Sequence, residues 1–352
     1  MTNFLINTDK KLQKVVTNLN KSACIGLDTE FIRESSYYPI LALIQLSNNR
    51  HTYCIDVLAI QNTNSIKQLL LNKNITKIIH SSKQDLEVLH SYFKCYPCNL
   101  FDTQIAASMT GYGLNVSYSE MVDELLNIKI KKGSWRTDWL KRPLSPEKIE
   151  YASNDVKYLI KIYVKLNKKL IKLKRTLWFK EEQNNDLERK NVITNPIDAW
   201  KKINYPLHLN NQELKKLKKL AECREIIAKE KNTPKRWIIS DNCLTKLCQS
   251  TAKESDLFKS SKIDLKASEK ELLIKSFRTI NTHQSKRRQS NNHNIKNRIN
   301  KYKKLLLDVS NKYNIPSSLI ANKRDIEIFS KNHACVRFMR GWRFKIFGKL
   351  LQ

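Results

Sequence analysis

The sequence predicts a mixed α/β sheet domain in front and mainly helical, basic domains behind it. Three observations carry that prediction. Cys24–Phe31, Leu41–Leu46 and Thr52–Val57 are short, apolar, β-rich runs separated by polar turns. Strand and helix patterns then alternate, which sets further strands beside the first three in one sheet. The charge is also lopsided: residues 1–150 hold 18 basic and 14 acidic side chains, whereas residues 151–352 hold 47 and 19. A nearly neutral front and a strongly basic back suggest chemistry in one part and grip in the other.

The remaining elements follow in order. Ser65–Leu71 reads as a short helix and Lys77–His80 as a buried strand. Gln84–Phe93 is a helix with Leu86, Leu89 and Phe93 on one side. Leu100–Asp102 begins another strand, Ser119–Leu126 is helical, and one long helix runs from about Pro146 to Lys172. That helix has a well-marked start: Ser145 as N-cap, Pro146 in the first helical position and Glu147 at the positive end of the dipole. The polar stretch Glu188–Pro196 reads as a linker. Beyond it, Leu214, Leu217, Ala221, Arg224 and Ala228 recur at helical spacing until Asn232-Thr233-Pro234 ends the run. Thr279–Asn300 is polar and basic, a linker or arm whose Lys286-Arg287-Arg288 suits phosphates. Lys301–Leu351 is again amphipathic and helical. Domain boundaries are expected at 1–190, 191–290 and 291–352.

Composition narrows the function. Hydrophobic residues make up 41% of the 352, so the chain is globular. The net charge of +32 calls for a polyanionic partner, either nucleic acid or an anionic membrane surface. No apolar run approaches the roughly 18 residues of a spanning helix, and MTNFLINTDKKLQK lacks a signal-peptide pattern. The expectation is a cytoplasmic protein on nucleic acid, without a membrane partner. The eight cysteines then read as reduced thiols, and Cys95-Tyr-Pro-Cys98 has no second pair to complete a zinc site. None of the six glycines completes a phosphate-binding loop, a dinucleotide turn or a nucleophile elbow. No nucleotide cofactor is expected. Carboxylates remain.

Asp28-Thr29-Glu30 interrupts an otherwise apolar strand. Residues i and i+2 share a strand face, so both carboxylates point one way. Two readings fit: a pair neutralised by a hard divalent cation such as Mg²⁺ or Mn²⁺, or a strand end whose acids are solvated. Asp85 follows the Lys77–His80 strand at a helix start, where an acid is ordinary. Tyr151 and Asp155 are one turn apart on the long helix, a spacing that also suits a packed aromatic beside a surface acid. The order of the three features is far more specific than any one of them.

That order resembles the DEDDy 3′→5′ exonucleases, and the text around it resembles ribonuclease D: LDTEFIRESSYYPILALIQL, IIHSSKQDLEVL, FDTQIAASMTGYGLNVSYSEMVDELL and RTDWLKRPLSPEKIEYASNDVKYLI. DAWKKI with the helix to Arg236 resembles a helicase-and-RNase-D C-terminal (HRDC) domain, and IPSSLIANKRDIEIF with RGWRFKIFGKLL the family's C-terminal end. The resemblance implies an α/β ribonuclease-H-like (DnaQ-like) exonuclease domain with a mixed β-sheet, followed by mainly α-helical HRDC-type domains. It also implies that Asp28 bridges two metal ions, Glu30 and Asp155 complete the first site, Asp85 holds the second through water, and Tyr151 positions the attacking water. The expected activity is trimming of RNA 3′ ends, tRNA precursors among them, with release of 5′-mononucleotides. Gln45, Lys132 and Arg136 are candidate substrate contacts. Trp139 and His80 read as core residues and Asp102 as a turn cap. The rivals are a 3′→5′ DNA exonuclease using the same carboxylates and an inactive RNA-binding protein on the same scaffold.

Overall fold

The computed structural model describes residues 2–130, 138–188, 194–206, 209–249, 253–259, 261–278, 292–332 and 334–352. They divide into two compact units. The first comprises Met1–Ile32, Leu41–Arg189 and Ser290–Gln352, the second Arg33–Ile40 and Lys190–Gln289. No described helix is long and apolar enough to cross a membrane.

The first unit is built on a six-stranded sheet. In chain order its front elements are β1 (Thr2–Ile6), α1 (Asp9–Leu19), β2 (Cys24–Ile32), β3 (Ile40–Ser47), β4 (His51–Asp56), α2 (Asn64–Leu71), β5 (Thr76–Ile79), α3 (Lys83–Phe93), β6 (Leu100–Asp102), α4 (Thr103–Met109), α5 (Tyr118–Leu126), α6 (Pro146–Lys157), α7 (Leu159–Lys172) and α8 (Thr176–Glu188). The strand order is β1-β4-β3-β2-β5-β6. β3 pairs antiparallel with β4, whereas the β1–β4, β2–β5 and β5–β6 pairs are parallel, so the sheet is mixed. Strands β2 to β6 fall where apolar runs between turn residues predicted them. β1 and α1 had no sequence assignment: β1 is an edge strand with a single fully buried residue, Ile6, and so shows no alternation to read.

The long helix expected from 146 to 172 is two helices. Ser145 caps α6 by accepting the Lys148 N–H, with Pro146 in the first turn. At Tyr158 the backbone leaves regular geometry (φ −110°, ψ −1°) and α7 starts. There the Tyr158 N–H donates to the Tyr118 hydroxyl at 3.0 Å, a partner that no local pattern reveals. Ahead of α6, Arg142 grips both oxygens of Asp56 at the end of β4, at 2.7 Å each, and holds the incoming segment against the sheet.

The second unit holds α9 (Asn211–Glu230), α10 (Lys235–Ile238), α11 (Asp241–Leu247) and α12 (Ala267–Arg278) around a core of Leu217, Leu220, Ala221, Ile227, Leu244 and Leu273. α9 begins with a reciprocal Asn210–Glu213 capping box. Residues 33–40, taken in sequence as part of the first domain, belong here: the Tyr37 hydroxyl donates to Glu225 at 2.5 Å and Asn232 accepts the Tyr38 N–H.

The chain then returns to the first unit through α13 (Asn292–Tyr313), α14 (Ser317–Ile320), α15 (Lys323–Asn332) and α16 (Gly341–Ile346). Within the expected linker Thr279–Asn300, residues 292–300 are thus helical, while 279–291, including Lys286-Arg287-Arg288, lie outside the described residues. Residues beyond 291 were expected as a domain of their own, but they share one core with the sheet unit: Tyr302, Ile320, Phe329, Trp342 and Phe347 pack with Val156, Leu159, Leu166 and Phe179. Amphipathic spacing shows that a helix buries a face, not which partner covers it. Trp342 stacks on Trp178 (5.4 Å, 17°), and Glu181 accepts the Trp342 N–H. Deleting residues 291–352 therefore strips a contiguous part of that core. Such a fragment should lose cooperative thermal unfolding by circular dichroism; a sharp transition near that of the full chain would contradict this packing.

Candidate active site

Three of the sequence-predicted carboxylates converge. Asp28 and Glu30 project from one face of β2, and Asp155 comes down from α6 so that one oxygen from each lies within 4.8 Å of the others. What permits this approach is Gly26, two residues before Asp28 on the same face. A Cβ at Gly26 would stand 2.3 Å from the Ser47 Oγ and 3.0 Å from the Val156 carbonyl oxygen, so a side chain here would push α6 off the sheet. Ser47 ties the two together by donating to the Val156 carbonyl at 2.8 Å. Further along β4, the buried Cys54 sulfur lies 3.2 Å from the Ser153 hydroxyl of α6.

Asp85 enters from the first turn of α3. It is buried, and the Thr29 hydroxyl donates to its Oδ1 at 2.5 Å. Thr29 alternates to the other side of β2 from Asp28 and Glu30, so the strand places acids on one face and the orienting hydroxyl on the other. Tyr151, one turn before Asp155, is half-buried with its ring 6.1 Å from that of Trp139.

The electrostatics are those of acids crowded together. Burial first, then the carboxylates of Asp85, Asp155 and Glu30, hold Asp28 well above the usual carboxylate range. Burial and the Asp155 and Asp85 carboxylates push Glu30 to about 8. Asp85 and Asp155 rise to about 7, again mainly through burial. Burial and the same acids raise the Tyr151 phenol, which therefore stays protonated. Among the described residues no Lys or Arg forms an ion pair with Asp28, Glu30 or Asp155. All the candidate donors are hard oxygens, the set that suits a divalent cation.

The other candidates separate cleanly. Trp139 is buried among Leu43, Cys54, Leu144 and Ala152, a core residue. Both ring nitrogens of His80 have partners, the Thr103 hydroxyl at 2.9 Å and the Val116 carbonyl at 3.0 Å. Asp102 caps α4 by accepting the Gln104 and Ile105 N–H groups, and it also takes those of Ser81 and Ser82. Gln45 is fully buried on β3, and among the described residues neither amide atom has a hydrogen-bond partner. Leaving a buried polar group unpaired costs about 1–3 kcal/mol. Lys132 and Arg136 lie outside the described residues. Sequence reasoning passed over Thr29 and also Tyr118, whose phenol is raised by burial and by the Asp155 and Asp28 carboxylates. Neither carries a local signal; each matters only through a residue far away in the chain.

Residues 3–171 match a family model described as a 3′-5′ exonuclease. A ribonuclease D from Bartonella henselae is 34% identical over 360 residues, spanning 98% of this chain and 88% of the relative. The ribonuclease D of Haemophilus influenzae is 31% identical over 374 residues, spanning 99% and 92%. The crystal structure of Escherichia coli RNase D, an exoribonuclease involved in structured RNA processing, matches with a TM-score of 0.81 at 28% identity, covering 100% of this chain and 98% of that one. Likeness that runs from the carboxylate-bearing sheet through the basic C-terminal helices leaves one assignment: the chain belongs to the ribonuclease D family of 3′–5′ exoribonucleases.

Proposed function

We propose that this protein is a cytoplasmic exoribonuclease that trims RNA 3′ ends, tRNA precursors among them, and releases 5′-mononucleotides. The convergence of Asp28, Glu30 and Asp155 oxygens within 4.8 Å carries the reading. When bound, two divalent ions, Mg²⁺ or Mn²⁺, would neutralise these acids and supply a water that ionises near neutral pH. Asp28, Glu30 and Asp155 would hold them, with Asp85 contributing through water. The Thr29 hydroxyl fixes the Asp85 carboxylate in place, and the protonated Tyr151 hydroxyl orients the attacking water by hydrogen bonding. No His base is required. Single-stranded 3′ termini suit such a pocket, because unstacked nucleotides can enter it. The basic residues beyond 150 would contact phosphates along the rest of the RNA. The deciding assay offers a 3′-extended tRNA and a single-stranded DNA to the purified protein with Mg²⁺, Mn²⁺ or EDTA. Preference for the DNA would overturn the substrate assignment, and mononucleotide release in EDTA the metal.

Three outcomes follow from the site. Asp28→Asn keeps shape and removes charge, so it should abolish turnover while RNA binding and the folded circular-dichroism spectrum stay close to those of the parent; substantial residual activity would sink the reading. Tyr151→Phe should slow turnover by roughly 10²–10⁴-fold at most, since only an orienting hydroxyl is lost. A rate equal to the parent's would return Tyr151 to a packing role. The third is a pH dependence. In EDTA the acids titrate near 7–8 folded but near 4 unfolded. The folded state then holds protons that the unfolded chain releases, so this contribution to stability is full below about pH 4 and is lost as pH rises through about 8. The thermal midpoint in EDTA should fall between about pH 5 and pH 8, and fall less in Asp28→Asn. Parallel pH profiles for the two proteins would count against the cluster.

A further inference from the structure

Gln45 is a neutral amide with nothing to bond to in a well-packed place. It lies on β3 directly opposite Cys54 of β4 and is 0% exposed, with both Nε2 and Oε1 unpartnered among the described residues. Its surroundings say where it looks. Ser47, two residues on and therefore on the same strand face, donates to the Val156 carbonyl of α6 and abuts Gly26 of β2. Cys54 reaches Ser153 and the Ile149 carbonyl of α6. Gln45 thus sits beneath α6, on the strand next to β2 and on the sheet face that carries Asp28 and Glu30. Full burial keeps it from being a direct contact for a nucleotide.

We propose that Gln45 is a positioning residue for the metal site: with the carboxylates ionised and a cation held, its Nε2–H group donates to the Asp28 carboxylate, directly or through one buried water. The inference rests on reading Asp28, Glu30 and Asp155 as metal ligands. Chemistry favours an amide for this task. A carboxylate only accepts hydrogen bonds, so its rear oxygen needs a donor, and a charged donor would compete with the cation for the acid. A neutral N–H orients the ligand without neutralising it. Asp28 already accepts the Thr29 backbone N–H; of the other side chains named on this face, Ser47 and Cys54 have partners on α6, so the amide can serve as a further donor.

The test separates positioning from packing. Gln45→Leu keeps nearly the same volume and removes both polar atoms, and Gln45→Met serves as a second variant should the first fold poorly. Thermal midpoints are measured in EDTA, and Mn²⁺ affinity by calorimetry on the full chain without RNA. The expected result is a midpoint in EDTA at or above the parent's, because an unpaired amide has been removed, together with Mn²⁺ affinity about 10–100-fold weaker. Mn²⁺ affinity unchanged in a folded variant would overturn the proposal, as would a large loss of stability in EDTA without a change in Mn²⁺ binding, the signature of an amide that only holds a structural water. Asp28→Asn is the control. If the parent binds no Mn²⁺ that this substitution removes, the metal site itself fails, and Gln45 has nothing to position.

Discussion

The site depends on how closely α6 lies against the sheet. Over Gly26 the helix comes near enough for Ser47 to hydrogen-bond the Val156 carbonyl, and no side chain at Gly26 would leave room for that bond. Asp155 immediately precedes Val156, and Tyr151 lies one turn earlier. A helix held at this height delivers both to Asp28 and Glu30; a helix displaced by the width of a methyl group would separate them. The Arg142–Asp56 pair works to the same end, fixing the segment that leads into α6. One small residue and two side-chain clamps therefore set the spacing of residues drawn from opposite ends of the front domain.

Such closeness has an energetic consequence. Acids packed together with water partly excluded repel one another, and in the metal-free protein they respond by holding on to protons. The fold spends stability to keep them there, and a cation would return it. The surrounding structure is correspondingly firm: Asp102 fixes the loop before α3 through the Ser81 and Ser82 amides, and Thr29 holds Asp85. The C-terminal helices add to this frame. Arg175 reaches the carbonyls of Met109 and Tyr313, and the buried Arg343–Glu182 pair (2.6 Å) joins α16 to α8. Their apolar faces complete the core of the nuclease unit.

How much of this could be read beforehand differs by kind of information. Where the signal is local, the residues alone suffice. The short apolar runs of β2, β3 and β4 between polar turns mark strands because a sheet covered on both faces demands apolar residues at successive positions, and Ser145-Pro146 marks the start of α6 because a helix end must satisfy its own amides. Asp28, Glu30 and Asp155 could be named because their order along the chain resembles the DEDDy 3′→5′ exonucleases; the strand and helix periods alone left an ordinary reading open for each. The lopsided charge was equally plain.

Tertiary structure decided whatever depends on partners distant in sequence. At the break the Tyr158 amide meets the hydroxyl of Tyr118, 40 positions earlier, and the return of α13–α16 to the first unit depends on which apolar face meets which. Thr29 reads as one more polar residue until Asp85, 56 positions later, folds against it. Gln45 passes for a substrate contact until burial shows that nothing outside can touch it. The chain by itself determined which carboxylates were candidates to meet; only close packing, which couples residues through space rather than through spacing, decided that Asp28, Glu30 and Asp155 do.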